Sequence, residues 1–170
     1  MAPGEAAETL ALRVAQSTPD PELPMLSIGD LGILRSVTTE GERVVVSLTP
    51  TYSGCPAMAE IRSDVQARLA EAGLRDAVVR TLLNPPWSSD WITAEGRRKL
   101  AAAGIAPPGS VPHAEAPVPL TLTTAPQRGL ACPACGSADT ERTAAFGSTA
   151  CKDLYRCRAC AEPFEHVKEI

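Results

Sequence analysis

Six cysteines in 170 residues are the side chains most able to do chemistry here. Four form two pairs, Cys132 with Cys135 and Cys157 with Cys160, each separated by two residues, and 21 residues lie between the pairs. Two such knuckles can offer four thiolates tetrahedrally to one ion while short strands form between them, the pattern of a zinc ribbon. Gly136 and Ala161 follow the knuckles, and small residues there suit tight turns that aim backbone amides at sulfur. A segment so short and poor in large apolar residues needs a metal to fold. Structural Zn is the expected occupant; iron, an iron-sulfur cluster, or a redox or disulfide arrangement are the alternatives. Cys151, six residues before Cys157, is a possible accessory thiol: a spectator beside the ligands, an alternative ligand, or a sign that the unit handles a cluster.

The sixth thiol stands apart, in "TPTYSGCPAM", Thr49 to Met58. Gly54 permits a sharp turn and Pro56 suits the first position of a helix, so Cys55 is expected at or next to the N-cap. Free amides and the positive end of the helix dipole there would favour a thiolate and lower the cysteine pKa. Such a thiol could be a nucleophile, a redox group or a metal ligand; the bland alternative is a small apolar side chain packed under a turn. Nucleophilic catalysis needs a base, and the two histidines, His113 and His166, fall in a linker and a tail. A disulfide reductase would want a second cysteine two residues away. Ligation or transfer of a soft metal species remains. A stiff acidic loop, "TPDPELPMLSIGDLGIL", carries Asp20, Glu22 and Asp30; its spacing alone reads equally as a solvated, capped entry into a strand.

The elements that must position these groups alternate in type. A helix is expected near 5–16, extended segments at 31–38 and 43–49 joined as a hairpin by "TEGE", and a strong helix at 56–72 with Met58, Ile61, Val65 and Leu69 on one stripe. A third strand at 77–84 and a helix at 94–103 complete the order αββαβα. The fold class is α+β, a small domain over residues 1–104 with a sheet of three or so strands covered mainly on one side by helices. Residues 105–129 hold six prolines and read as a linker, and residues 130–170 form the ribbon.

Composition bounds the partners. With 44% hydrophobic residues the chain can bury one proper core, and a formal charge of -4 supplies no field for nucleic acid or anionic lipid. From Arg128 to Ile170 there are six basic and six acidic residues, so the ribbon is expected to dock protein instead of tracking phosphates. No stretch approaches the length of an apolar membrane span, and no secretory pattern opens the chain. A soluble, cytoplasmic protein with no nucleic-acid or membrane partner is the expectation.

The stretches "DPELPMLSIGDLGIL" and "TPTYSGCPAM" resemble the metal-sulfur cluster biosynthesis domain, the SufT-like family, whose motifs are an Asp-Pro-Glu loop and a Thr-x-x-x-Cys-Pro turn. Here they are matched by Asp20-Pro21-Glu22 and by Thr51 with Cys55-Pro56. The resemblance covers about residues 5 to 104. It implies cluster assembly or transfer, with Cys55 as the reactive or ligating cysteine and Asp20, Glu22 and Thr51 beside it handling transient iron or an iron-sulfur cluster. Two further stretches, "NPPWSSDWITAEGRRKLAAAGIAPP" and "FGSTACKDLYRCRACAEPFEHVKEI", look like the D-subunit family of bacterial ring-1,2-phenylacetyl-CoA epoxidase systems. That resemblance implies a non-catalytic maturation factor of phenylacetate degradation whose partners are the oxygenase and reductase subunits. A structural or regulatory component without an iron-handling role is the alternative, and a homodimer is left open. Family members often end in a cysteine-containing tail where this chain reads "HVKEI", which supports counting four ribbon ligands.

Overall fold

The structure, a computed structural model, describes residues 3–41, 43–52, 54–111 and 130–170. Helix α1 (Pro3–Gln16) buries Ala11 and Ala15 against a sheet and stops ahead of Pro19. The hairpin β1 (Leu34–Glu40) and β2 (Arg43–Leu48) is antiparallel. Gly41 turns it at a φ of 64°, in the left-handed region that glycine adopts without strain. From β2 the chain crosses through α2 (Ala57–Glu71) to β3 (Val78–Thr81), which runs parallel to β2 with Val45 opposite Val78. The sheet order is therefore β1-β2-β3. The apolar stripe of α2, Met58, Ile61, Val65 and Leu69, is buried as its spacing requires.

The segment between α1 and β1 is a second wall of the core. Its apolar residues Leu23, Leu26, Ile28, Leu31 and Ile33 are all buried. The loop closes on itself through Asp20 N–H to Leu26 O at 2.9 Å and Ile28 N–H to Thr18 O at 2.9 Å. The first strand consequently begins at Leu34, three residues later than its apolar pattern suggests, because Leu31 and Gly32 sit in a turn. Gly32 has a φ of +68°, and a Cβ there would lie 2.6 Å from Trp91 Cβ. The third strand is also shorter than expected, ending at Thr81, with one further bond from Leu82 N–H to Leu48 O at 2.7 Å. Beyond it come a 3-10 turn (Ser89–Trp91) and α3 (Ala94–Ala102), capped by Thr93 Oγ1 accepting from Gly96 N–H at 2.9 Å.

The cysteine-rich unit is an antiparallel sheet of order β4-β5-β6, formed by β4 (Thr140–Ala144), β5 (Lys152–Cys157) and β6 (Pro163–Val167). It is fastened to the first sheet's domain. Val167 belongs to the main core, Ala106 exchanges two backbone bonds with Glu165 and Val167 (2.8 and 3.1 Å), and Ser89 N–H donates to Ile170 O at 3.0 Å. The expected linker thus begins as packed chain: Ile105 and Ala106 are buried, Arg97 donates to Pro108 O and Ser89 O, and Val111 N–H donates to Asp90 at 3.1 Å. Apolar and backbone contacts along β6 outweigh its proline content. The rest of the linker, 112–129, including His113, lies outside the described residues. Among the described residues, no helix is long and apolar enough to cross a membrane.

Candidate metal centres

In the ribbon the sulfurs of Cys132, Cys135, Cys157 and Cys160 all lie within 4.8 Å of one another. Cys132 to Cys160 is 3.8 Å and Cys135 to Cys157 is 3.6 Å. An ion held at metal–sulfur bonds of about 2.3 Å has tetrahedral edges of about 3.8 Å, so the donor set fits one thiophilic ion. Gly136 and Ala161 close the two turns at φ values of 75° and 65°. In the second knuckle the amides of Cys160 and Ala159 face the Cys157 sulfur, and the Cys160 amide leads the causes that lower Cys157 to about 7. At Cys160 the Glu162 amide works the same way, but the Cys135 and Cys157 sulfurs and burial hold the thiol up at about 12. Four crowded thiols resist ionising together; a cation among them removes that penalty.

The second centre is built around Cys55. Gly54, at a φ of +87°, turns the chain so that Cys55 N–H donates to Tyr52 O at 3.2 Å and Cys55 O accepts from Met58 N–H at 3.3 Å. Pro56 is the N-cap of α2 and offers no side-chain cap, so the Ala57 amide faces the thiol, as does the Met58 amide that also donates to Cys55 O. The thiol is nevertheless pushed above its ordinary value, contrary to the expectation of a favoured thiolate. Burial is the largest cause, and the Glu22 charge adds to it; the two amides and the Thr51 hydroxyl pull the other way and lose. Desolvation outweighs the helix end here because Cys55 is half-buried against the core.

Asp20, Glu22 and Thr51 join Cys55 among the residues around a small, largely apolar cavity of about 30 Å³. Asp20 is 5% exposed. Its Oδ1 accepts from the amides of Glu22 and Leu23 at 2.9 and 2.8 Å, which folds the Asp-Pro-Glu loop and places Glu22 on the cavity. Burial raises both carboxyl pKa values, at Glu22 with help from the Asp20 charge. The remaining carboxylate of the loop, Asp30, goes elsewhere: it accepts from Lys99 Nζ at 2.7 Å and from Ser27.

Two residues on this cavity could not be assigned to it from the sequence. Trp87 forms part of its wall, fixed by Nε1–H donating to Leu31 O at 2.9 Å. Cys151 lines it as well, although it belongs to the ribbon in the chain. No histidine is among the described residues that line it. His166 is buried within the ribbon with Nδ1 2.8 Å from Asp153 Oδ1, edge-on to Tyr155.

Comparison with known proteins matches two separate stretches of the chain. Residues 13–80 match the family described as iron-sulfur cluster assembly protein, and residues 116–168 match the PaaD zinc beta ribbon domain. The whole chain is 42% identical over 171 residues to the D-subunit of the "Putative 1,2-phenylacetyl-CoA epoxidase" of Escherichia coli (strain K12), covering 96% of that protein. Among solved structures, a domain of unknown function, DUF59, from Bacillus anthracis aligns with a TM-score of 0.53 and 30% identity, over 57% of this chain and 93% of that one.

Proposed function

We propose, from the premise that the chain belongs to the D-subunit family of phenylacetyl-CoA epoxidases, that it is an accessory maturation factor that binds iron or an iron-sulfur cluster at Cys55 and passes it to the oxygenase system. The observation that supports this reading is that Cys55, Glu22 and Asp20, far apart in the chain, border one small cavity at a helix start. Each of the three has its charge disfavoured by burial. A cation entering the cavity displaces the protons and offsets the desolvation, which couples binding to proton release. The same features suit a donor better than a permanent holder, because reprotonation of the thiol favours release.

In the ribbon, Cys132, Cys135, Cys157 and Cys160 would hold Zn. Bound there, the ion supplies folding energy and no open coordination position. The ribbon then presents a surface to client proteins. No catalytic role is assigned to Cys55: the cavity lacks a histidine base among its described lining residues, and soft-metal ligation accounts for the thiol without one.

Anaerobic reconstitution with iron and sulfide, comparing wild type with Cys55→Ser and following activation of the client oxygenase, tests the reading. Loss of both iron loading and client activation is expected in the variant. Equal loading and equal activation would overturn it. The alternative, a permanent structural component, gains from Leu83 and Phe146, each 67% exposed. It predicts fixed-stoichiometry co-purification with the catalytic subunits and full activity in Cys55→Ala.

A further inference from the structure

A buried ring nitrogen stands unpartnered where the ribbon meets the first domain. His166 on β6 is 2% exposed. Its Nδ1 lies 2.8 Å from Asp153 Oδ1, and Tyr155 packs edge-on to the ring with centroids 5.6 Å apart. Its Nε2 is buried and, among the described residues, makes no hydrogen bond. What faces Nε2 is a second carboxylate, with Glu169 Oε1 at 3.5 Å. That same oxygen accepts from Gly109 N–H at 2.9 Å. The imidazole is thus flanked at both nitrogens by carboxylate oxygens. The other titratable or charged groups around it are Tyr155 on β5 and, behind Asp153, Arg142 on β4 with Nη1 3.8 Å from Asp153 Oδ2. Residues 105–111 meet it with backbone, since Ala106 pairs with His166.

A neutral imidazole has one N–H. With that hydrogen on Nδ1 for Asp153, Nε2 turns a buried lone pair toward the Glu169 carboxylate, an acceptor facing an anion. The imidazolium donates from both nitrogens and satisfies both carboxylates. Charge-assisted N–H···O bonds run at about 2.7–2.9 Å, and the Glu169 side chain, 38% exposed, has room to close the gap. We propose that His166 is a proton-operated latch. Protonated, it joins Asp153 to Glu169 and, through the Glu169–Gly109 bond, fastens residues 105–111 to the ribbon; deprotonated, it releases Glu169 and loosens that seam. The proton comes from solvent and returns to it. The bonded form is the protonated one, so the fastening is complete in mild acid and fades as the pH rises through the titration of the ring. Val167, the next residue of β6, lines the Cys55 cavity, so the latch sets how firmly the ribbon closes that wall. It operates whether or not Cys55 binds iron.

Full-length protein carrying Zn in the ribbon is compared with Glu169→Gln and His166→Asn by amide hydrogen exchange between about pH 5.5 and 8, with rates corrected for intrinsic base catalysis. Glu169→Gln keeps an oxygen for Gly109 and discards the charge that holds the second ring proton. His166→Asn keeps a donor for Asp153 and discards the titration. In wild type the protection of Ala106, Gly109 and Val167 should fall roughly three- to fivefold as the pH rises across that range, while Val46 in β2 stays constant. In both variants the fall should vanish. Equal falls in wild type and Glu169→Gln, or no fall in wild type, would overturn the latch. Zn counted at both ends of the range identifies the other cause, since a fall that follows metal loss persists in Glu169→Gln. Should His166→Asn not fold, Glu169→Gln decides alone.

Discussion

At the scale of single residues, Cys55 shows how burial and a helix end compete for one proton. The Ala57 and Met58 amides favour the thiolate, yet burial and the Glu22 charge prevail. Removing that charge with Glu22→Gln should lower the thiol pKa and speed alkylation of Cys55 at neutral pH by roughly two- to threefold, since the thiolate is the nucleophile. Site-resolved mass spectrometry of iodoacetamide labelling measures this; an unchanged or slower rate would show that Glu22 does not act on the thiol. The sequence revealed the turn, through Gly54 and Pro56, because local backbone chemistry marks it. It could not reveal the sign of the pKa shift, which depends on a loop more than thirty residues upstream and on the depth of the core. Cys151 was legible as surplus to the ribbon, but its destination depends on how two units pack.

At the scale of elements, the helices and the hairpin were legible because their periodicity is strong, and α2 keeps all four residues of its expected stripe buried. The loop from Thr18 to Ile33 was not, since its buried apolar residues follow no period. Its tightest contact is Gly32 against Trp91, where a Cβ would meet Trp91 at 2.6 Å in a left-handed backbone. Gly32→Ala should therefore cost about 2–3 kcal/mol, read as a lowered midpoint in urea; a cost near zero would mean that the 3-10 turn moves aside freely. The same loop is pinned to α3 by Asp30 and Lys99 at 2.7 Å. Burial works against the Asp30 charge, but the Lys99 and Ser27 bonds outweigh it and hold the carboxyl below its ordinary 3.8. A depressed acid contributes stability above its unfolded value and loses it as the pH falls through the folded one. The pair should add about 1 kcal/mol at neutral pH that fades in acid, and Lys99→Met should flatten that dependence. Urea midpoints of both proteins across the acid range decide it; parallel curves would exclude the pair as the cause.

At the scale of the whole molecule, the ribbon and the first domain share a core edge, since Val167 packs with the main cluster and Ala106 bonds to β6. The ribbon is thus built into the wall of the Cys55 cavity, through Cys151 and Val167. Stripping the ribbon metal with a strong chelator should expose β4 to β6 to amide exchange, and with them residues 105–111, while Val46 and Val79 in the first sheet stay protected. Uniform protection throughout would show that the ribbon folds without metal, and uniform exposure that the domains are one cooperative unit. A proline-rich stretch and a change in composition mark a boundary in the sequence. The bonding of Ala106 to β6 was not legible there, because β6 carries few residues that announce a partner.

Trp87 gives the cavity an optical handle. It is 4% exposed, lines the same space as Cys55 and Cys151, and is one of two tryptophans in the sequence. The other, Trp91, lies under the Arg35 guanidinium at 3.5 Å. A paramagnetic ion arriving at Cys55 would sit beside the space that one indole lines and the cation-covered one does not. Emission from a Trp91→Phe variant would then report occupancy in real time, so that loading and hand-over could be followed by quenching and recovery without any added dye.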